Sequence, residues 1–184
     1  MSVLIDIPRC LKELPPYVVV KKSPLFPLYE DFDDVDIFSS ASEDLLSGLT
    51  KNLRSFLSPS CKIEVTKKTP NTHLDIWPPN AANLNLRFDI YNQFPYKKFH
   101  VNADLYNEII ESRESVTYNG IPLCFPAPLH DTLLRLFEWI EHPHKLQHKD
   151  FVKERVQHHA NLTGLLINQT NINPSSLGFL QKHS

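Results

Sequence analysis

The sequence predicts a two-layer α+β protein: a mixed, twisted sheet with helices on one side, followed by a C-terminal helical extension. Three observations predict it. Short β-branched or alternating runs recur along the first part of the chain, as in YVVV, DVDIF, CKIEVT, HLDIW and LRFDIY. One strongly amphipathic segment interrupts them early. After Pro126-Ala127-Pro128 the apolar residues recur at helical spacing instead. Residues 1–125 are therefore expected to form the core, with 126–184 as a helical extension packed on it.

The elements follow in order. Val3, Leu4, Ile5 and Ile7 lead into a short amphipathic piece that ends at Pro15-Pro16. Tyr17 to Val20 is short and fully apolar, so it reads as a buried strand. Pro24 and Pro27 forbid a regular element until about Phe32. Asp34 to Phe38 is the second strand. Side chains alternate along a strand, so Val35 and Ile37 point to the core while Asp34 and Asp36 share the opposite face. Ser40-Ala41-Ser42-Glu43 reads as a capping box with Ser40 at the N-cap. The helix it opens carries Leu45, Leu46, Leu49, Leu53, Phe56 and Leu57, and stops before Pro59.

Cys61 to Thr66 alternates as a third strand with one wet face. Thr72–Trp77 and Leu84–Tyr91 flank the turn-rich PPNAAN and read as a hairpin. A centre near Ala82 would set Asp75 directly opposite Asp89. Asn102 can cap a short helix through Ser112, with Leu105, Ile109 and Ile110 inward. Tyr118-Asn119-Gly120-Ile121 is a tight hairpin turn. Leu129 to Glu141 is a packing helix with Leu129, Leu133, Leu136, Phe137 and Ile140 as its stripe. A basic helix follows from about Lys145 to His159, then a polar tail, Asn168 to Ser184, expected to be partly disordered or strapped loosely on the surface.

Composition narrows the function. The chain carries 19 basic against 21 acidic side chains, which argues against nucleic acid as a partner, since gripping phosphate backbones needs a basic excess. Cys10, Cys61 and Cys124 are widely spaced and form no C-x-x-C, as expected of reduced thiols rather than a disulfide frame or zinc site. No run reaches the length of a membrane span, and Asp6 and Arg9 interrupt the N-terminal apolar residues, so a cytoplasmic protein is expected. No Gly-rich phosphate loop of either familiar type is present.

The chemistry gathers around Asp34-Val35-Asp36. Two carboxylates on one face of a strand repel, and a fold tolerates that mainly with a cation between them. Hard divalent ions take such oxygen ligands. The plainer reading is a solvated acidic turn, because Glu30, Asp31 and Asp33 lie close by. His144 and His148 have a spacing that can chelate zinc on a helix, but Lys145-Leu146-Gln147 lies between them, and a His-rich surface helix is expected instead. His73 reads as a satisfied strand residue.

A strand, a serine-bearing loop, an acidic pair on the next strand and a lone carboxylate on a later one resemble the nucleotidyltransferase superfamily, typified by DNA polymerase beta and the minimal nucleotidyltransferases. The resemblance covers residues 17–91. It extends to 150 through PAPLHDTLLRLFEWIEHPHKLQHKD, which resembles the post-core helices of small-substrate members. Ser23 stands upstream of Asp34 at the family's spacing, and Asp34 and Asp36 match its metal pair. Asp89 matches its third carboxylate, with Asp75 as the other candidate. Lys22-Ser23-Pro24 stands where the family has Gly-Ser.

The resemblance implies Mg²⁺ or Mn²⁺ held by Asp34, Asp36 and Asp89 or Asp75, and a nucleoside triphosphate such as ATP as substrate. It implies transfer of a nucleoside monophosphate to a hydroxyl or phosphate of a small-molecule acceptor by in-line displacement of pyrophosphate. Ser23, helped by Lys21 or Lys22, would meet the terminal phosphates, and Lys145 or Lys149 would add a second cationic wall. A homodimer is compatible with this reading. Two alternatives remain at this point: a catalytically inactive module of the same type that binds a nucleotide or a protein partner, and a sugar-nucleotide-dependent transferase using Asp-x-Asp as its metal motif.

Overall fold

The computed structural model describes residues 5–23, 25–80 and 82–177. They divide into two compact units. The first takes the described residues through Phe94 together with Arg113–Phe125; the second takes Pro95–Ser112 and the described residues from Pro126 onward.

The first unit is built on a mixed five-stranded sheet. Its strands are β1 (Val18–Val19), β2 (Asp33–Phe38), β3 (Lys62–Lys68), β4 (Asn71–Trp77) and β5 (Leu86–Tyr91), in the order β1-β2-β5-β4-β3. The β2–β5 pair is parallel and the other pairs are antiparallel. Helix α2 (Ser42–Phe56) begins the crossover that lets β5 return beside β2. Its buried residues Leu45, Leu49 and Leu53 recur every four positions, so they line one stripe. That stripe packs on Val35 and Ile37 of β2, Leu74 and Ile76 of β4, and Phe88 and Ile90 of β5. The short helix α1 (Ile7–Cys10) joins the same core. With one face of the sheet spent on packing, strand alternation leaves Asp34, Asp36, His73, Asp75, Arg87 and Asp89 on the other. The α+β class and the mixed sheet are as expected.

Three local expectations are corrected. The capping box does not form: Ala41 is the N-cap of α2 with no side-chain cap, and both Glu43 oxygens lie 2.8 Å from Lys67 Nζ. With Ala41 as the N-cap, the third helical residue is Asp44, so Glu43 no longer stands where a capping box needs it. Strand β3 has no dry face; apart from half-buried Ile63, its residues are exposed. It is the sheet's edge, where Lys62, Lys67 and Lys68 discourage further pairing. The β4–β5 register also differs from the expected one, with consequences for the site.

A small hairpin completes the first unit: β6 (Glu114–Tyr118) and β7 (Ile121–Phe125), joined by Asn119 and Gly120 at φ 50° and 80°. Positive φ at both central residues is the turn whose twist matches the strands. Among the described residues, and its two chain neighbours apart, none comes within 4 Å of where a Gly120 Cβ would stand, so a methyl there costs backbone strain alone. Gly120→Ala is expected to lower stability by about 1 kcal/mol, read from the urea midpoint.

The second unit is helical: α3 (Ala103–Glu111), α4 (Pro128–Glu141), α5 (Leu146–Arg155) and α6 (Leu162–Gln169), with 3-10 turns at Val156–His158 and Pro174–Ser176. Leu133, Leu136 and Phe137 of α4 are buried, and Phe137 packs against the rings of Tyr96 and Phe99. Helix α6 was not expected; only Leu162 and Leu166 are buried on its short length. The tail beyond it is anchored. Thr170 bridges to Val101, and Asn171 Oδ1 accepts from His100 N at 2.8 Å. Residues 178–184 of the expected loose tail lie outside the described residues. Asn102 takes the N-cap position of α3, but its side chain donates to the Asn168 carbonyl at 2.8 Å instead of capping. His148 is buried beside Arg135 rather than exposed, and His144 precedes α5, so the two are not ligands on one helix face. Among the described residues, no helix is long and apolar enough to cross a membrane.

Candidate metal centre

Parallel pairing of β2 with β5 sets Asp36 directly beside Asp89, and Asp34 beside Arg87. All four side chains stand on the face opposite α2. One carboxylate oxygen from each of Asp34, Asp36 and Asp89 lies within 4.8 Å of the other two. Asp34 is the open end of this group, Asp36 is half-buried and Asp89 is buried.

Cationic side chains flank the carboxylates. Lys21 Nζ stands 3.0 Å from Asp36 Oδ2 and 5.6 Å from the centre of the Tyr91 ring. Lys21 has φ 52°, a left-handed backbone that a lysine rarely adopts, where the chain turns out of β1. His73 Nδ1 hydrogen-bonds Asp89 Oδ1, and Arg87 Nε lies 3.9 Å from the same oxygen.

Although Asp34 is the exposed member, partial desolvation of its carboxyl pushes it above its usual range, and the charges of Asp36 and Asp89 push it further against the pull of Lys21. Burial likewise raises Asp89, with the His73 hydrogen bond pulling it partly back. Burial also raises the Tyr91 hydroxyl, as do the neighbouring carboxylates. A carboxyl whose folded pKa exceeds its unfolded one binds more protons in the folded state, so stability falls as pH rises. In metal-free protein that loss begins in the ordinary carboxylate range and is complete above the raised values. Asp34→Asn should flatten the slope, seen as thermal midpoints that differ less between about pH 4 and about pH 7. A steeper slope in the variant would contradict this account.

Asp75 is corrected as a metal ligand. Arg87 grips both its oxygens, Nε to Oδ1 at 2.7 Å and Nη2 to Oδ2 at 3.0 Å. The hairpin register pairs Asp75 with Arg87 and His73 with Asp89, instead of Asp75 with Asp89. The observed register sets opposite charges across the ladder where the expected one set like charges.

Of the other expected residues, Lys22 and Ser23 line a small cavity together with Lys21, Asp34 and Asp36, whereas Lys145 and Lys149 belong to the second unit. Ser23 is exposed, and its Oγ accepts from Leu25 N at 3.1 Å. Lys22 Nζ stands over the Phe125 ring at 4.6 Å. Within the second unit, Lys145 Nζ is 3.8 Å from Glu138 Oε2, and Lys149 Nζ is 5.8 Å from the centre of the Trp139 ring. Arg87 and Tyr91 were missed in the sequence, although period-two alternation in LRFDIY places both on the face of Asp89. His73 is more than a satisfied strand residue, because the group that satisfies it is Asp89.

The donor set fits a divalent ion. Asp34, Asp36, Asp75 and Asp89 share this face with Lys21 and Arg87 as its fixed cations, and one oxygen from each of Asp34, Asp36 and Asp89 lies within 4.8 Å of the other two. Hard oxygens with one side open to water suit Mg²⁺ or Mn²⁺.

No protein-family model and no curated protein matches this chain. Two solved structures resemble it. JHP933 from Helicobacter pylori is 12% identical, with a TM-score of 0.45 over 84% of this chain and 63% of that one. A "putative nucleotidyltransferase from H. pylori" is 13% identical, with a TM-score of 0.41 over 87% of this chain and 74% of that one. The chain thus spans under two thirds of the length of the first.

Proposed function

We propose that this chain is a metal-dependent nucleotidyltransferase that moves a nucleoside monophosphate from a triphosphate to a small-molecule acceptor. The observation that carries the reading is the meeting of Asp34, Asp36 and Asp89 from two neighbouring parallel strands, with oxygens within 4.8 Å, beside the turn that bears Lys21, Lys22 and Ser23. Those three aspartates would hold Mg²⁺ or Mn²⁺, which when bound supplies Lewis-acid stabilisation of phosphoryl charge. Asp89, raised by burial and oriented by His73, is suited to accept a proton from the acceptor hydroxyl. Lys22 and Ser23 offer a cation and a hydroxyl to the triphosphate. Near-neutral net charge favours a small acceptor over a nucleic-acid end.

The test is pyrophosphate release from each of ATP, CTP, GTP and UTP with Mg²⁺ or Mn²⁺ and a metabolite extract as acceptor source. Metal-dependent release with one or more triphosphates is expected. Absence of release, together with no metal-dependent thermal stabilisation by any triphosphate, would reject the proposal. A second reading, a module that binds nucleotide without turnover, draws support from one feature: Lys21 and His73 already engage Asp36 and Asp89. Metal-dependent stabilisation without pyrophosphate would favour it.

A further inference from the structure

We propose that the helical unit carries a second metal site, separate from the three aspartates: a zinc-class ion held by Glu108, His130 and Gln169, which ties α3, α4 and α6 together. The inference goes beyond the nucleotidyltransferase reading and does not depend on it.

A buried imidazole nitrogen that meets a carboxylate without a shared proton carries it. His130 Nε2 lies 3.6 Å from Glu108 Oε1, with 6% of the His130 side chain and 44% of the Glu108 side chain exposed. That separation is too long for a hydrogen bond. Nε2 is buried and has no hydrogen-bond partner among the described residues. The other ring nitrogen decides where the proton sits. Ser112 Oγ gives its one hydrogen to the Glu108 carbonyl at 2.7 Å, so at 2.9 Å from His130 Nδ1 it can only accept. Nδ1 therefore bears the hydrogen, and Nε2 turns a bare lone pair toward the carboxylate. Burial holds the imidazole below its ordinary pKa against the attraction of Glu108, which keeps the ring neutral at pH 7.

Two electron-pair donors this close call for a positive partner, and the distance selects it. A water bonded to both at about 2.8 Å would have to close its bridging angle to about 80°. An ion about 2.0–2.1 Å from each subtends about 120°, which a four- or five-coordinate zinc accepts. Imidazole with carboxylate is also a zinc-class pair, whereas Mg²⁺ takes oxygens. Both ligands have the outer partners that orient metal ligands: Ser112 on His130 Nδ1, and Gln169 Nε2 donating to Glu108 Oε2 at 3.2 Å. Gln169 Oε1 is also buried without a hydrogen-bond partner among the described residues, and it supplies the third donor. The open side of Glu108 admits water to complete the shell. The consequence is structural. Helix α6 buries only Leu162 and Leu166, and Gln169 is its last residue, so the ion adds a hold that its packing does not provide. An ion that binds the folded state alone raises stability in step with its affinity.

The experiment measures Zn²⁺ binding by calorimetry, and the thermal midpoint with and without Zn²⁺, for the full chain freed of metal by a chelator. Wild type, Asp36→Asn, Glu108→Gln and His130→Asn are compared, each checked by circular dichroism for unchanged secondary structure. Wild type and Asp36→Asn should bind one Zn²⁺ in a millimolar excess of Mg²⁺ and gain the same rise in midpoint. Glu108→Gln and His130→Asn should bind that ion at least about a hundredfold more weakly and lose the rise. Unchanged affinity in Glu108→Gln puts the ion elsewhere and overturns the proposal. A wild type that Zn²⁺ does not stabilise overturns it too, leaving the position to water. Should His130→Asn not fold, Glu108→Gln decides alone, because its side chain is half exposed and the amide keeps its shape. Failure here leaves the pyrophosphate test of the aspartate group untouched, and failure there leaves the zinc measurement standing.

Discussion

Asp36→Asn is expected to lower metal-dependent pyrophosphate release by on the order of a thousandfold, with little change in the thermal midpoint of the metal-free protein. Asp36 is the only one of the three carboxylates with the other two as direct neighbours, one across the β2–β5 pair and one along its own strand face. An amide keeps the shape but removes the anionic donor, so the effect falls on cation affinity and catalysis. Stability receives two opposing contributions. Repulsion between positions 36 and 89 is relieved, while the Lys21 pair is lost. Asp75→Asn is the matched control. It removes the same charge from the same face, but from a carboxylate whose oxygens are both held by Arg87. Divalent stabilisation should survive there while the thermal midpoint drops. Were Asp36→Asn to retain activity and Asp75→Asn to lose divalent binding, the carboxylate assignment would be reversed.

The contrast between Asp36 and Asp75 also marks what the chain makes legible before it folds. A strand's two-residue period is local, so DVDIF alone is enough to put Asp34 and Asp36 on one face and Val35 and Ile37 on the other. That each of the two apolar residues is buried follows from the same period. The neighbour of Asp36 is another matter. Asp89 comes beside it through a parallel pairing across an intervening helix and two strands, and no local pattern encodes that register. The hairpin of β4 and β5 lies between these extremes. Its existence is visible in the turn-rich linker, but the exact pairing depends on how the residues between Trp77 and Leu86 are used in the turn. A shift of two residues keeps every side chain on its face while exchanging Asp75's partner from Asp89 to Arg87. Lys21 was foreseen as a phosphate contact. Its place on Asp36 depends on a backbone angle that a sequence pattern does not report. Helix α6 escaped notice because eight residues with a glycine among them give too little periodicity to read.

Phe88→Ala should be the most damaging single change to the first unit, at about 3–5 kcal/mol. Phe88 is fully buried on β5, the strand with β2 on one side and β4 on the other, and it belongs to the core that α2 covers. Truncation removes a ring from a place where β2, β4 and α2 are all held by their own pairings, so the cavity cannot close cheaply. Against a typical total of about 5–15 kcal/mol, the loss takes much of the available stability. Phe88→Leu, which leaves most of the volume filled, should cost about 1 kcal/mol. Val65→Ala, an apolar change on the exposed edge strand, should stay within about 0.5 kcal/mol. Urea midpoints that rank the three in this order would bear the packing out; equal losses for Phe88→Ala and Val65→Ala would contradict the sheet order. The same substitution reaches the site by a short path. Arg87 and Asp89 flank Phe88 on the strand and point to the opposite face, so a shift of β5 into the cavity moves Asp89 away from Asp36. Divalent stabilisation in Phe88→Ala should therefore weaken even at temperatures where the protein remains folded, because the apolar face of β5 sets the spacing of the carboxylates on its polar face.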